Sequence, residues 1–269
     1  MLSRVLSGVR RSLSLRALDA ADQLRGRSQP LVPPRRLNFV GPGDFIAVGD
    51  EFLGHFTELG ELQPDERVLD IGCGIGRIAR PLAGYLTAPG RYDGFDISRE
   101  GIEWCRRHYR DVQPRFDFEH ADVANALYNP GGTQLASEFR FPYPDDSFDF
   151  AFAVSVFTHL VQADAANYLA ETARVLRPGG RLLSTWFLLD SESRAQVAAK
   201  AAAFDLRERD TETAVASEGT PEQAIAFDQG WVRQRLGEHG LAVSGVWPGT
   251  WSGRPGGRSF QDIFVAVSG

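Results

Sequence analysis

Cysteine is nearly absent from this sequence, with only Cys73 and Cys105 in 269 residues. Two thiols cannot form a disulfide framework, so a reducing, cytoplasmic compartment is the expected setting. Long apolar runs are missing as well. Although 43% of the residues are hydrophobic, no stretch approaches the ~20 residues a membrane span requires, and one large soluble α/β domain with accessory segments is expected. There is no excess of positive charge either. A net charge of -6 removes the long-range attraction to phosphate backbones, and nucleic acid is not an expected partner. Lys200 is the sole lysine, so the basic charge is carried by arginine, a pattern that reflects coding bias more than physics. His55, His108, His120 and His239 show no ligand spacing, and no metal site is predicted.

The segments that are present differ in kind. Residues 1–27 carry Arg4, Arg10, Arg11, Arg16, Arg25 and Arg27 against Asp19 and Asp22, with Leu2, Val5, Leu6, Val9, Leu13, Ala17, Ala20 and Leu24 at helical spacing. This basic amphipathic segment reads either as a self-packed helix or as a peripheral membrane contact or targeting segment. A linker over 28–38 contains Pro30, Pro33 and Pro34, which disfavour helix and favour extended chain. Residues 39–66 follow as a helical lid. Asp44 or Asp50 is a candidate cap, and Phe45, Phe52, Leu53 and Phe56 form an apolar stripe.

From residue 67 to 269 the pattern alternates between strands and helices. Strands are predicted at 67–71, 92–96, 116–120, 148–154 and 181–188, with helices over 76–86, 99–108 and 163–176. A helix over 227–239 then leads into two strands joined without a helix, near 241–247 and 260–267, which predicts an antiparallel pair. The expected fold class is α/β: a doubly wound, mostly parallel seven-stranded sheet with a final antiparallel strand.

The densest chemical signal lies at the first strand, Val68-Leu69-Asp70-Ile71-Gly72-Cys73-Gly74-Ile75-Gly76. Glycine at every second position after a buried strand suits a turn that must take positive φ and let a ligand lie against bare backbone. Asp96 ends the second strand twenty residues after Gly76, where an acid can accept from ribose hydroxyls, and Asp122 follows the third with Val123 beside it. The glycines alone also fit a nicotinamide-dinucleotide turn, Gly74-x-Gly76-x-x-Ala79. That reading leaves Asp70, the Arg177-Pro178-Gly179-Gly180 turn and the terminal strand pair unexplained.

Taken together these residues resemble the class I S-adenosylmethionine-dependent methyltransferases, over roughly 67–267. The resemblance rests on Asp70 to Gly76, Asp96, Asp122, Phe148-Asp149-Phe150 and Leu176 to Gly180. It implies S-adenosyl-L-methionine as cofactor, with Asp70 near the methionine amine, Gly72, Gly74 and Gly76 along the ribose and methionine, and Asp96 on the ribose. It further implies Ile97 and Val123 beside the adenine, Asp122 on its exocyclic amine and the backbone near Val154 facing the methionine amine.

The methyl acceptor is expected to meet the fourth strand's end, Ser155 to Leu160. The Asn/Asp-Pro-Pro-Tyr/Phe pattern carried by many amino-group methyltransferases is missing there, and Asn129-Pro130-Gly131 follows the wrong strand to replace it. His159 is the candidate general base, because imidazole accepts a proton at neutral pH; a structural role as a loop anchor is the competing reading. The predicted substrate is a small molecule, methylated on a hydroxyl of a saccharide or secondary metabolite. Nitrogen or carbon methylation, a lipid head group, and a non-catalytic cofactor-binding protein are the alternatives. Trp247, Trp251 and Arg254 read equally as a substrate wall or as packing, and Asp190 as a helix cap ahead of a substrate contact.

Overall fold

A computed structural model describes residues 29–41 and 43–269, with 15, 16, 18, 19, 21 and 24. Most of the basic segment predicted over 1–27 lies outside the described residues. Within it, Asp19 accepts from Arg35 N and pairs with Arg36 at 2.9 Å. The linker expected to be extended contains a short 3-10 helix, Arg35–Leu37, that begins directly after Pro34. Proline restricts the residue before it but serves well as the residue that launches a turn of helix.

The segment expected to form a lid holds a single helix, α1 (Phe45–Glu58), capped by Asp44, whose carboxylate accepts from Ile46 N and Ala47 N. It buries Phe45, Phe52 and Phe56, with Phe56 packed on Phe150 and Phe152 of the main sheet. That sheet is built from β1 (Arg67–Ile71), β2 (Arg91–Asp96), β3 (Phe116–His120), β4 (Phe148–Ala153), β5 (Leu176–Trp186), β10 (Leu241–Trp247) and β11 (Asp262–Ser268). Its order is β10-β11-β5-β4-β1-β2-β3, with β11 antiparallel to both neighbours and the other pairings parallel, as predicted.

The centre of the sheet reads as a continuous apolar run because it is covered on both faces. Every residue of β4 is buried, and its one acid, Asp149, accepts from Arg67 N and pairs with Arg177. The covering helices are α2 (Ala79–Tyr85), α3 (Arg99–Tyr109), α4 (Gln162–Val175) and α6 (Gln229–Glu238), with α5 (Ser191–Ala198) beside them. Helix α2 begins three residues later than its apolar spacing suggests, which brings Pro81 into the first turn where its missing N–H costs nothing.

A second sheet, absent from the sequence expectations, follows β5. Strands β6 (Leu188–Leu189), β7 (Arg207–Glu208), β8 (Thr213–Val215) and β9 (Ile225–Asp228) pair in the order β6-β9-β8-β7. They cover a small core of Phe187, Leu189, Leu206, Ala214, Ala226 and Trp251. The buried Asp262 carboxylate fastens this lobe to β11 by accepting from Leu188 N, Gly249 N and Trp251 Nε1. Trp251 is wholly buried, so of its two readings the packing one holds. Asp190 caps α5 in a capping box with Ser193 and pairs with Arg254. No helix among the described residues is long and apolar enough to cross a membrane.

Candidate functional site

Strand order reverses between β1 and β4, and a cavity of about 570 Å³ opens there beyond the carboxyl ends of the strands. The turn after β1 holds Gly72, Gly74 and Gly76 at φ of 78°, 58° and 80°, a conformation that penalises any side chain. A Cβ on Gly72 would stand 2.5 Å from Val156 Cγ2, and one on Gly74 would stand 2.7 Å from Val40 Cγ1. Gly101 in the first turn of α3 belongs to the same construction. A Cβ there would meet the Gly74 carbonyl oxygen at 2.5 Å, so the helix approaches the turn closely only because this residue is glycine.

Asp96 ties the tip of β2 to the glycine turn. Its Oδ2 accepts from Gly74 N and its Oδ1 from Ser98 N, both at 2.7 Å. Burial pushes its pKa up, against the pull of these two backbone donors. Asp70, at the end of β1, accepts from the Tyr92 hydroxyl at 2.7 Å. Burial raises its carboxyl to about 8, the nearby Asp96 adds to the rise, and Arg77 opposes it. The Arg77 guanidinium also lines the cavity, and its Nε has no hydrogen-bond partner. Nothing in the sequence marks Arg77, because one arginine after a glycine turn carries no spacing signal.

The sign of the Asp70 shift sets a pH dependence. Because the folded chain holds a proton that the unfolded chain releases near 3.8, this group's contribution to stability is complete below that value. It is lost as pH rises towards 8. A cationic ligand that needs the carboxylate must expel the same proton, so its affinity is expected to rise with pH by up to about tenfold per unit and to level off above pH 8. Calorimetry of S-adenosylhomocysteine at pH 6.5 in buffers of different ionisation enthalpy should register about one proton released, and none for Asp70→Asn.

Of the predicted residues, Asp70, Gly72, Gly74, Asp96, Ile97, Val154 and His159 line this one cavity. Gly76 lies behind the turn, near Cys105 Sγ and the Tyr109 ring. Asp122 and Val123 are not part of the lining: Asp122 Oδ2 accepts from Thr133 Oγ1, which lowers its pKa, and Val123 packs in the core. The sequence placed an acid at each of three strand tips but carried no sign that Thr133, eleven residues on, would engage the third.

His159 ends a 3-10 turn, Phe157–His159, after β4. Its Nδ1 lies 2.7 Å from the Glu222 carbonyl oxygen, which fixes the ring proton on Nδ1 and leaves the lone pair on Nε2. Burial lowers its pKa below the ordinary value and keeps the imidazole neutral. The Tyr128 ring meets it edge-on at 5.6 Å, and the neighbouring Thr158 hydroxyl is buried without a partner. Among the described residues there is no cluster of side chains able to hold a metal ion.

A family model for a methyltransferase domain matches residues 68–180. The chain is 37% identical over 130 residues to 27-O-demethylrifamycin SV methyltransferase of Amycolatopsis mediterranei, covering 48% of this chain and 41% of that one. It is 35% identical over 120 residues to a fatty-acid O-methyltransferase of Mycolicibacterium smegmatis, covering 45% and 36% respectively. The chain spans less than half the length of the curated relatives it matches. In fold it is similar to a solved SAM-dependent methyltransferase of Methanosarcina mazei, with a TM-score of 0.52, 22% identity, and coverage of 78% of this chain and 95% of that one. The glycine turn, the sheet order with its reversed β11 and the matched region lead to one assignment: residues 68–180 match a methyltransferase domain, and the fold is that of the class I S-adenosylmethionine-dependent methyltransferases.

Proposed function

We propose that this protein transfers a methyl group from S-adenosylmethionine to a hydroxyl oxygen of a small molecule. The observation that carries the reading is a His159 tethered through Nδ1 to the Glu222 carbonyl oxygen on the wall of the cavity that also contains the glycine turn, Asp70 and Asp96. Two relatives whose names specify oxygen methylation support oxygen as the acceptor atom.

The residues present suit the cofactor. Gly72 and Gly74 line the cavity with bare backbone on which a side chain would strike Val156 or Val40, and the buried Asp70 and Asp96 carboxyls, once ionised, would receive a cationic guest. Asp70 would hold the ammonium group, Arg77 the carboxylate, Asp96 the ribose hydroxyls and Ile97 one face of the adenine. The bound sulfonium supplies an already activated methyl group. The chain's own work is then positional: the cavity walls hold the hydroxyl in line and exclude water. His159 Nε2 would take the hydroxyl proton as the oxygen bonds to the methyl carbon and the carbon–sulfur bond breaks, the cofactor leaving as the neutral thioether.

Calorimetry with S-adenosylhomocysteine and with NAD tests the cofactor first; binding of the former and none of the latter is expected. Methyl-labelled S-adenosylmethionine incubated with fractionated small molecules should then give products whose fragmentation places the label on oxygen. Label on nitrogen or carbon would overturn the oxygen assignment.

A further inference from the structure

The topology divides the cavity into two ends. Asp70 and Asp96 stand at the tips of β1 and β2, whereas the other end is built from the segments after β4 and β5 and the segment before β11. Phe187 leaves β5, Phe204 comes from the segment between α5 and β7, and Phe260 stands two residues before β11. Phe187 and Phe204 have ring centroids 5.1 Å apart, and Phe260 lies 6.0 and 6.2 Å from them. These three rings wall the end of the cavity opposite the acids, and Phe260, 46% exposed, forms part of its mouth.

Several polar side chains at this end are committed elsewhere, while the Thr158 hydroxyl is unpartnered. Asn125 receives Leu127 N and Tyr128 N and donates to the His159 carbonyl oxygen, and the Ser259 hydroxyl donates to Glu51. Gln261 is different. Its Oε1 accepts from the Ser155 and Thr185 hydroxyls, while Thr185 Oγ1 in turn accepts from Ser155 N. Ser155 sits at φ 59°, a strained conformation for serine, held by this network at the tip of β4. With its oxygen fixed from two sides, the amide of the buried Gln261 presents its NH₂ group as a donor on the cavity wall.

A saccharide would bring more hydroxyls than the Thr158 hydroxyl and the Gln223 and Gln261 amides can pair, and each unpaired one would cost desolvation free energy. An anionic acceptor would meet three aromatic rings in place of a counter-ion, and a cationic one would be repelled by the sulfonium of a bound cofactor. We propose that the acceptor is an uncharged, largely apolar hydroxyl compound, clamped between Phe187, Phe204 and Phe260, with an oxygen held by the Gln261 amide. This rests on the cofactor reading of the site and narrows it to one substrate class.

Binding to the full chain saturated with S-adenosylhomocysteine tests it, with 2-naphthol, methyl β-D-glucopyranoside and 2-naphthoate as probes. The naphthol is expected to bind about thirtyfold or more tighter than either other probe, given ~25 cal/mol for each Å² of apolar surface buried. Equal or tighter binding of the glucoside or the naphthoate overturns the proposal, as does absence of naphthol binding to a chain that does bind S-adenosylhomocysteine. Failure to bind S-adenosylhomocysteine at all sinks the underlying cofactor reading instead. Phe260→Asp changes an exposed rim position and should weaken naphthol about tenfold without altering S-adenosylhomocysteine affinity. Gln261→Glu keeps an oxygen for Ser155 and Thr185 but removes the donor. A hydroxyl can turn to donate to a carboxylate, so the ether 2-methoxynaphthalene, which only accepts, is the probe for this variant; its affinity should fall about fivefold, the worth of one hydrogen bond. Unchanged ether affinity removes Gln261 from the proposal, and unchanged naphthol affinity in Phe260→Asp removes the aromatic clamp.

Discussion

Replacing His159 by Gln is expected to lower kcat by about 10²- to 10⁴-fold while leaving the Kd for S-adenosylhomocysteine within about threefold, the span typical of a lost general base. The substitution isolates the proton-accepting atom. A glutamine amide can still donate to the Glu222 carbonyl oxygen that now receives Nδ1–H, so the turn after β4 keeps its anchor. The basic Nε2 alone vanishes. The pH profile supplies an independent readout: burial lowers the His159 pKa, so the wild-type acid limb in kcat/KM should fall below the ordinary histidine value of 6.5 and disappear in the variant. Equal losses in turnover and cofactor affinity would make His159 a structural anchor, and an unchanged kcat would place the base elsewhere.

The parts of the molecule legible in the sequence are those where one local rule dominates. Strand β1 and its glycine turn could be read because a buried parallel strand is an uninterrupted apolar run and only glycine tolerates the three left-handed positions after it. The β10–β11 pair could be read because two strands joined without a helix have little choice but to run antiparallel. The same logic explains why the cavity's acid-lined end was visible: Asp70 and Asp96 act through positions fixed by strand ends.

The opposite end was hidden for a different reason. Strands β6 to β9 are two to four residues long, too short to display an alternation of apolar and polar positions, and Arg207-Glu208 looks like a solvated charge run. Their pairing is decided by long-range contacts with Phe187, Leu206 and Trp251, and by the Asp262 carboxylate that collects three donors from separate segments. Gln261 is hidden likewise. A lone glutamine has no motif, and its role emerges only when Ser155 and Thr185, 106 and 76 residues away in sequence, converge on its oxygen. The Glu222 anchor of His159 is a backbone carbonyl, to which sequence identity is blind. The proposed acceptor end thus rests on tertiary contacts of short segments, and the proposed cofactor end on strand tips.

That division makes Asp96 the residue whose loss should be felt most in binding. Asp96→Asn is expected to raise the Kd for S-adenosylhomocysteine by about 100-fold or more, equivalent to ~2.7 kcal/mol or above. Both carboxylate oxygens already accept backbone donors, from Gly74 and Ser98, and each retains lone-pair capacity for a ribose hydroxyl. An amide keeps the shape but turns one of those acceptors into an NH₂ group, which must face either Gly74 N or Ser98 N. One buried backbone donor is then left unpaired, at a cost of ~1–3 kcal/mol, and the glycine turn loses its register on the tip of β2. Binding should suffer twice, through the lost ribose acceptor and through the displaced turn, whereas global stability reflects only the second. Calorimetry of binding alongside thermal unfolding separates the two, with Asp117→Asn on the exposed side of β3 as a control expected to alter neither. A variant that unfolds earlier yet binds S-adenosylhomocysteine as well as the native chain would reduce Asp96 to a strut for the loop and remove it from the cofactor's ribose.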